Sequence, residues 1–395
     1  MSPRLAEEAE LRFESGGPAY RLMQRLGVIK GQGPSIGRRI CCFLIVTWVP
    51  LLIFSISEGR ALGTTPRESF LLDFATYARF FLTVPLFFAA DLLIGPRLRA
   101  AGLNFIRAGF VRPEDYAAVD AAISRIQRLR EALLPELVMV GLAVFGAWFF
   151  AVENWSGISG PTWNSLIMDG TARLSLAGAW DHFVAIPILQ FFGLRWIWRI
   201  AIWTHFLYEI SRLKLDLVPT HADQRAGLGF LGNAHISLAI FPFALSCVFS
   251  ADVAFRIYFE AAQIGAFKSL FIAYLVIAEF ICLGPLLTLA PAMSRARRRA
   301  LQQYSALVND HNREFHKKWV SDSWSADQQL LGNPDMSSLI DLGSSFQVVR
   351  QMRSFPFTER QLLLIAVIAS VPMMPLVLLE MPVGELLRIL AGAVF

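Results

Sequence analysis

Seven stretches of about 20 apolar residues constrain this chain more than any other feature: Ile40 to Ser57, Thr76 to Gly95, Leu134 to Val152, His182 to Phe206, Ile236 to Phe255, Ser269 to Pro291 and Leu362 to Leu379. Each is long enough to cross a bilayer. Inside hydrocarbon the backbone has no water to bond, so such runs must close their own hydrogen bonds as helices or as strands of a sealed barrel. Their length and the absence of two-residue alternation exclude the barrel. Composition agrees, with 55% hydrophobic and 17% charged residues against roughly a quarter charged in ordinary soluble domains. The expected class is an all-α polytopic membrane protein of about seven transmembrane helices. Well over half the chain remains outside lipid, more than simple connectors need.

Lysine and arginine set the expected orientation. Counted by alternate segments, 27 fall on the side of the N-terminal tail and 6 on the other, which places the N-terminus in the cytoplasm and the C-terminus outside. The expected layout is a cytoplasmic amphipathic segment (1–39), spans one and two (40–95), a cytoplasmic helical segment (96–133), and spans three to six (134–291) with a cytoplasmic loop at 207–235. A second cytoplasmic segment (292–360) and the last span with an outer tail (361–395) complete it. Residues 1–39 lack the features of a cleaved secretory signal. Net charge is +5, but no aromatic-basic module is legible, so membrane lipids rather than nucleic acid are the expected partners. Cys41, Cys42, Cys247 and Cys282 lie in apolar runs and read as buried hydrophobes.

Three cytoplasmic segments carry apolar stripes at helical spacing. They are Tyr116, Val119, Ile123, Ile126 and Leu129; Leu301, Tyr304, Val308, His311 and Phe315; and Leu339, Leu342, Phe346 and Val349. The stripes are expected to bury one another in a compact helical subdomain, or to form a stalk for a second copy or a protein partner. A basic collar at Arg295, Arg297, Arg298 and Arg299 precedes the second stripe. Leu5 to Phe13 and Tyr20 to Val28 read as amphipathic helices on the membrane surface.

Ionisable groups inside spans cost several kcal/mol unless partnered, and so mark candidate sites. Arg195 and Glu279 lie about 13 and about 10 residues from the outer ends of their spans. At ~1.5 Å per residue their depths agree within about 5 Å, which predicts an ion pair. Arg199, His205 and Glu209 continue that file inward, and Asp252, with Arg256 four residues on, sits near the outer entrance. Arg79 and Asp91 are expected to snorkel to headgroups. Trp196 and Trp198 are expected to pack in the core, and Trp180 and Trp203 to join interfacial belts. Six of the seven spans contain proline, as do broken helices around transport sites.

The segment Leu217 to Asp223 supplies His221 and Asp223, ligand types suited to a divalent metal, although Thr220-x-x-Asp223 equally fits a helix cap or turn. Gly227-Leu-Gly229-Phe-Leu-Gly232 matches a dinucleotide-binding string literally, but no strand precedes it, so its glycines read as points of close helix approach. No cofactor is legible. The pattern Leu217-x-x-x-His221-x-Asp223 with Gly227-Leu228, together with Leu331-Gly332-Asn333-Pro334-Asp335, resembles a set of uncharacterised bacterial polytopic inner-membrane proteins. That resemblance implies a bacterial inner membrane and no activity.

The sequence thus points to a channel or transporter-like protein for a proton, ion or small solute, with Arg195 and Glu279 as a central charged gate. A membrane-embedded enzyme acting on a lipid at the cytoplasmic face and a non-catalytic scaffold or sensor are the alternatives. No nucleophile–base motif or zinc signature favours the enzyme.

Overall fold

The computed structural model describes residues 16–29, 36–155, 162–168, 171–321 and 333–380. The expected surface helix at Leu5 to Phe13, most of the C-terminal tail and Leu331-Gly332 of the resemblance lie outside them.

The fold is all-α. A short helix α1 (Pro18–Arg25) precedes α2 (Ile36–Ser57), α3 (Phe74–Arg107), α4 (Pro113–Glu131) and α5 (Leu133–Trp155). A two-stranded antiparallel hairpin, β1 (Ser165–Met168) and β2 (Thr171–Leu174), follows. Then come α6 (Leu176–Ser211), α7 (Gly229–Glu260), α8 (Ile264–Trp319), α9 (Pro334–Gln351) and α10 (Glu359–Val377). Six helices, α2, α3, α6, α7, α8 and α10, are long and apolar enough to cross a membrane, and α5, bent by 45° from α4, brings the number to seven. These coincide with the seven apolar stretches. Ile45, Val276 and Phe280, each more than 60% exposed, belong to an apolar outer belt that suits lipid and not water. One end of the bundle carries α1 and α4 and is called the α1 face below; the opposite end carries the hairpin.

Proline shapes the crossings. It removes a backbone donor and crowds the carbonyl one turn earlier, so the helix must widen or tighten there. Ala78–Thr83, ahead of Pro85, and Asp181–Ala185, ahead of Pro187, are π-helical. Ile236–Ala239 before Pro242, Gly284–Leu289 around Pro285 and Val371–Met373 around Pro372 are 3-10 turns. In the widened turn of α3, the Thr83 hydroxyl donates to the carbonyls of Ala78 and Ala244 and so ties α3 to α7.

The core sits between α3, α6, α7 and α8, around Phe87, Trp196, Trp203, Phe206 and Phe241. Trp196 packs there as expected and donates its indole N–H to the Phe87 carbonyl at 3.0 Å. Trp203 is not interfacial: it is fully buried and donates to Nε2 of His235 at 2.8 Å. His235 Nδ1 in turn meets the Cys282 carbonyl at 2.6 Å, which fixes the ring as the Nδ1–H tautomer. A Cβ at Gly232 would fall 2.7 Å from the Pro356 carbonyl, so this glycine permits a close approach.

At the α1 face the three stripes separate. The stripe on α8 is half-buried against α9 in a hairpin, with His311 Nε2 3.3 Å from the Ser338 hydroxyl. The stripe on α4 packs instead on the end of α6, where Arg125 pairs with Glu209.

Two buried charge clusters as the candidate functional site

Residues from four helices build the first cluster, near the α1 face. Arg39 lies one turn into α2, Asp91 midway along α3 and Glu136 in the first turn of α5. Arg195 and Arg199 are four apart on α6, hence on one helix face. All five are less than a tenth exposed. Asp91 is the hub: Oδ2 accepts from Arg39 Nη1 at 2.8 Å and Oδ1 from Arg199 Nη1 at 2.5 Å. The Arg39 guanidinium stacks 4.5 Å from the Phe88 ring centroid and that of Arg199 4.8 Å from Trp196, contacts that favour desolvated cations. A cavity of about 10 Å³ lies among Arg39, Asp91, Arg195, Arg199, Phe87, Phe88, Phe192 and Trp196, room for about one small particle.

The N-terminal segment closes this cluster. Arg195 Nη2 donates to the Gly16 carbonyl at 2.9 Å, and its Nε lies 4.0 Å from Glu136. Glu136 Oε2 accepts from the Ala19 amide at 2.6 Å and Glu131 Oε1 from the Gly17 amide at 3.2 Å. Carboxylates therefore meet the unpaired amides at the start of α1, where the helix dipole is positive. Gly17 has a φ of +92°, and a Cβ there would fall 2.7 Å from Glu136 Oε1, so this junction requires glycine. Leu22 and Leu26 of the same segment point outward, 56% and 69% exposed.

The second cluster lies at the hairpin end of the same two crossing helices. Arg79, in the π turn of α3, meets Asp181, in the π turn of α6, at 3.2 Å and Asp73 at 3.9 Å. Asp73 Oδ2 also accepts from the Trp163 indole at 2.8 Å and the Thr76 hydroxyl at 2.6 Å, while Oδ1 accepts from the Ala75 amide at 3.0 Å and so caps the start of α3. Asp181 Oδ1 is buried with no hydrogen-bond partner among the described residues. Twelve residues, ~18 Å of helix, separate Arg79 from Asp91. The interval is filled by Phe80, Val84, Phe87, Phe88, Leu189 and Phe192.

This geometry corrects the predicted gate. Arg195 pairs toward α1 and α5, not with Glu279, and both carboxyl oxygens of Glu279 are buried with no hydrogen-bond partner among the described residues. Matching depth placed the two at one height but could not set their azimuth around the bundle. Arg79 and Asp91 do not snorkel; each is held in a buried ion pair because a partner from α6, and for Asp91 also Arg39, reaches it inside the bundle. Of the expected file, Arg195 and Arg199 join this cluster and the others lie apart from it. His205 pairs with Glu209 at 3.0 Å at the end of α6, and Asp252 pairs with Arg256 at 3.0 Å in an exposed position.

His221 and Asp223 serve the loop. Asp223 Oδ1 accepts from the amides of Arg225 at 2.8 Å and Gly227 at 3.1 Å, and Oδ2 from Gly229 at 2.9 Å, at the start of α7. Partial burial alone would push this carboxyl up, but the three amides and His221 outweigh it and hold Asp223 below the usual carboxylate range. The loop carries Gln224 and Ala226 at positive φ, a strain compensated by these bonds and by Gln224 bonding α9 at Gln351. His221 lies 2.9 Å from Asp223, and among the described residues no group of three His, Cys, Asp or Glu side chains could hold a metal. The Asn333-Pro334-Asp335 segment is likewise architectural: Asn333 caps α9 and Asp335 bonds Lys318 and the Trp319 indole.

No known protein family, curated protein or solved structure matches the chain. The site therefore rests on its own geometry.

Sequence reasoning missed Arg39, Glu136, Asp73 and Asp181 because each lies at a span boundary, where charge is ordinary. A usable signal existed in Asp91, whose charge inside an apolar run called for a basic partner at like depth; Arg199 offered one.

Proposed function

We propose that this is a multi-pass inner-membrane protein, with its α1 face cytoplasmic, that carries a small ion along the seam between α3 and α6. The observation that supports the reading is the stacking of two buried clusters of opposite net charge on one helix pair. Among the described residues, Arg39, Arg195 and Arg199 outnumber Asp91 and Glu136 at the α1 end, whereas Asp73 and Asp181 outnumber Arg79 at the hairpin end. Groups so costly to bury are retained in membranes where they face an ion's path. The aromatic layer between the clusters closes the seam, and the π turns beside Pro85 and Pro187 give both helices a place to bend.

Purified protein in proteoliposomes tests this by flux of halide, proton and alkali cation. Asp91→Asn and Asp181→Asn are each expected to lower flux of the transported ion at least tenfold in folded protein, and Glu279→Gln to leave it unchanged. Wild-type flux in both aspartate variants would end the reading.

A second reading, a docking role for the α8–α9 hairpin, draws support from Leu307 and Ile340, 53% and 65% exposed on a hairpin that extends past the apolar spans. Loss of a co-purifying protein or of self-association on Ile340→Glu, with no measurable flux, would select it.

A further inference from the structure

We propose that Glu279 is a proton-binding site: within its apolar span the side chain is held as the neutral acid, against α10 and apart from the seam between α3 and α6. The inference goes beyond the transport reading and does not rest on it.

Glu279 follows Ile264, the first residue of α8, by fifteen residues, ~22 Å of helix. On one side of it Ala278, Cys282 and Leu283 are buried in the bundle, and on the other Val276 and Phe280 belong to the apolar outer belt. The backbone of α10 faces it at Ala366. Both carboxyl oxygens are nevertheless buried with no hydrogen-bond partner among the described residues. A carboxylate so placed calls for a cation or for donors, and each candidate is engaged or distant. Arg195 is turned to Gly16 and Glu136. On α8 itself Lys268 and Arg295 stand eleven and sixteen residues away, ~16 Å or more, and the Tyr274 hydroxyl goes to the Pro242 carbonyl. On α10 the charged groups Glu359 and Arg360 lie in the first turn, at least six residues before Ala366, and Glu359 pairs with Arg353 at 2.5 Å. Ser370 gives its hydroxyl to the Ala366 carbonyl at 2.6 Å, and the Gln361 amide is bonded to Asn233 at 2.8 Å. On α7 both ring nitrogens of His235 are taken, and Asp252, Arg256 and Glu260 lie toward the hairpin end. In low dielectric an ionised carboxylate with neither oxygen bonded costs far more than the neutral acid. A single carboxyl offers a metal ion too few oxygen ligands, so the ligand that fits is a proton.

Infrared spectroscopy of the full chain in lipid vesicles at neutral pH reads the proton directly. Wild type should show the carbonyl band of a protonated carboxylic acid, and Glu279→Gln should lose it. If instead the substitution removes ionised-carboxylate absorbance, or leaves the acid band intact, the site is overturned. Should Glu279→Gln not fold, Glu279→Asp makes the same test, since the acid band should shift in frequency and an unshifted band overturns the site. Thermal unfolding in detergent gives a second readout. Glutamine copies the shape and neutrality of the acid, whereas the folded wild type holds a proton that its unfolded chain releases near about pH 4.3. Wild type should therefore lose Tm relative to Glu279→Gln as pH rises above that value, until the folded chain releases the proton too. A Tm difference independent of pH would also overturn the site. Neither readout depends on flux, so absence of flux removes the transport reading alone, and absence of the proton removes this site alone.

Discussion

The two charge clusters use the same helices and differ in how they are closed. At the α1 end one carboxylate, Asp91, bridges arginines from two other helices, so its removal strands both. At the hairpin end one arginine is shared by two acids, and its side chain keeps 18% exposure. The first arrangement is a hub whose members depend on a single residue; the second has redundancy. Counted charges alone would make them mirror images, yet connectivity hangs one on a single acid and gives the other two.

The largest expected effect follows from the hub. Asp91→Ala leaves Arg39 and Arg199 buried without their counterion and should cost about 3–5 kcal/mol, read as a fall in Tm in detergent; a smaller loss than Asp181→Ala would invert the comparison. Next, Gly17→Ala should cost about 1–3 kcal/mol by straining the junction with Glu136. Hydrogen exchange should quicken in residues 18–25 while residues 73–83 stay unchanged, and equal quickening at both ends would show the clusters to be coupled. Asp181→Ala should cost about 1–2 kcal/mol, since Arg79 retains Asp73.

Asp223 lies outside both clusters and sharpens the contrast as a control. Its carboxyl is held below its unfolded value, near 3.9, so its contribution is complete above that value and fades as pH falls through the lower folded value. Proteolysis at residues 220–228 should rise on acidification below about pH 4, and in Asp223→Asn already at pH 7, with no change in hydrogen exchange at residues 18–25. Quickened exchange at residues 18–25 in Asp223→Asn would tie the loop to the arginine cluster.

The spans were legible because apolar length is a one-dimensional property, and all seven stretches became helices. The stripe from Leu301 to Phe315 was legible for the same reason, since periodicity along one helix reports which face is buried. Partnership was not. Depth can be counted along a chain, but Glu279 shows that equal depth leaves the angular position around the bundle open. The prolines marked where helices would deform but not whether a turn would widen, as at Ala78–Thr83, where the Thr83 hydroxyl donates to the Ala78 and Ala244 carbonyls, or tighten, as at Gly284–Leu289. His221 and Asp223 could be read either as metal ligands or as part of a cap or turn, and Asp223 accepts from backbone amides that only the folded loop brings within reach.

The widened turns ahead of Pro85 and Pro187 also set the phase of everything beyond them. A π turn takes in one residue more than an α turn, and one residue amounts to about 100° of helical rotation. Were Ala78–Thr83 to take regular α pitch with all its residues kept, Asp91 would rotate by about 100° away from Arg39 and Arg199. Regular pitch in Asp181–Ala185, again with every residue kept, would carry off Arg195 and Arg199. The alignment of guanidinium groups at one end of the bundle therefore depends on widened turns that absorb an extra residue near the other.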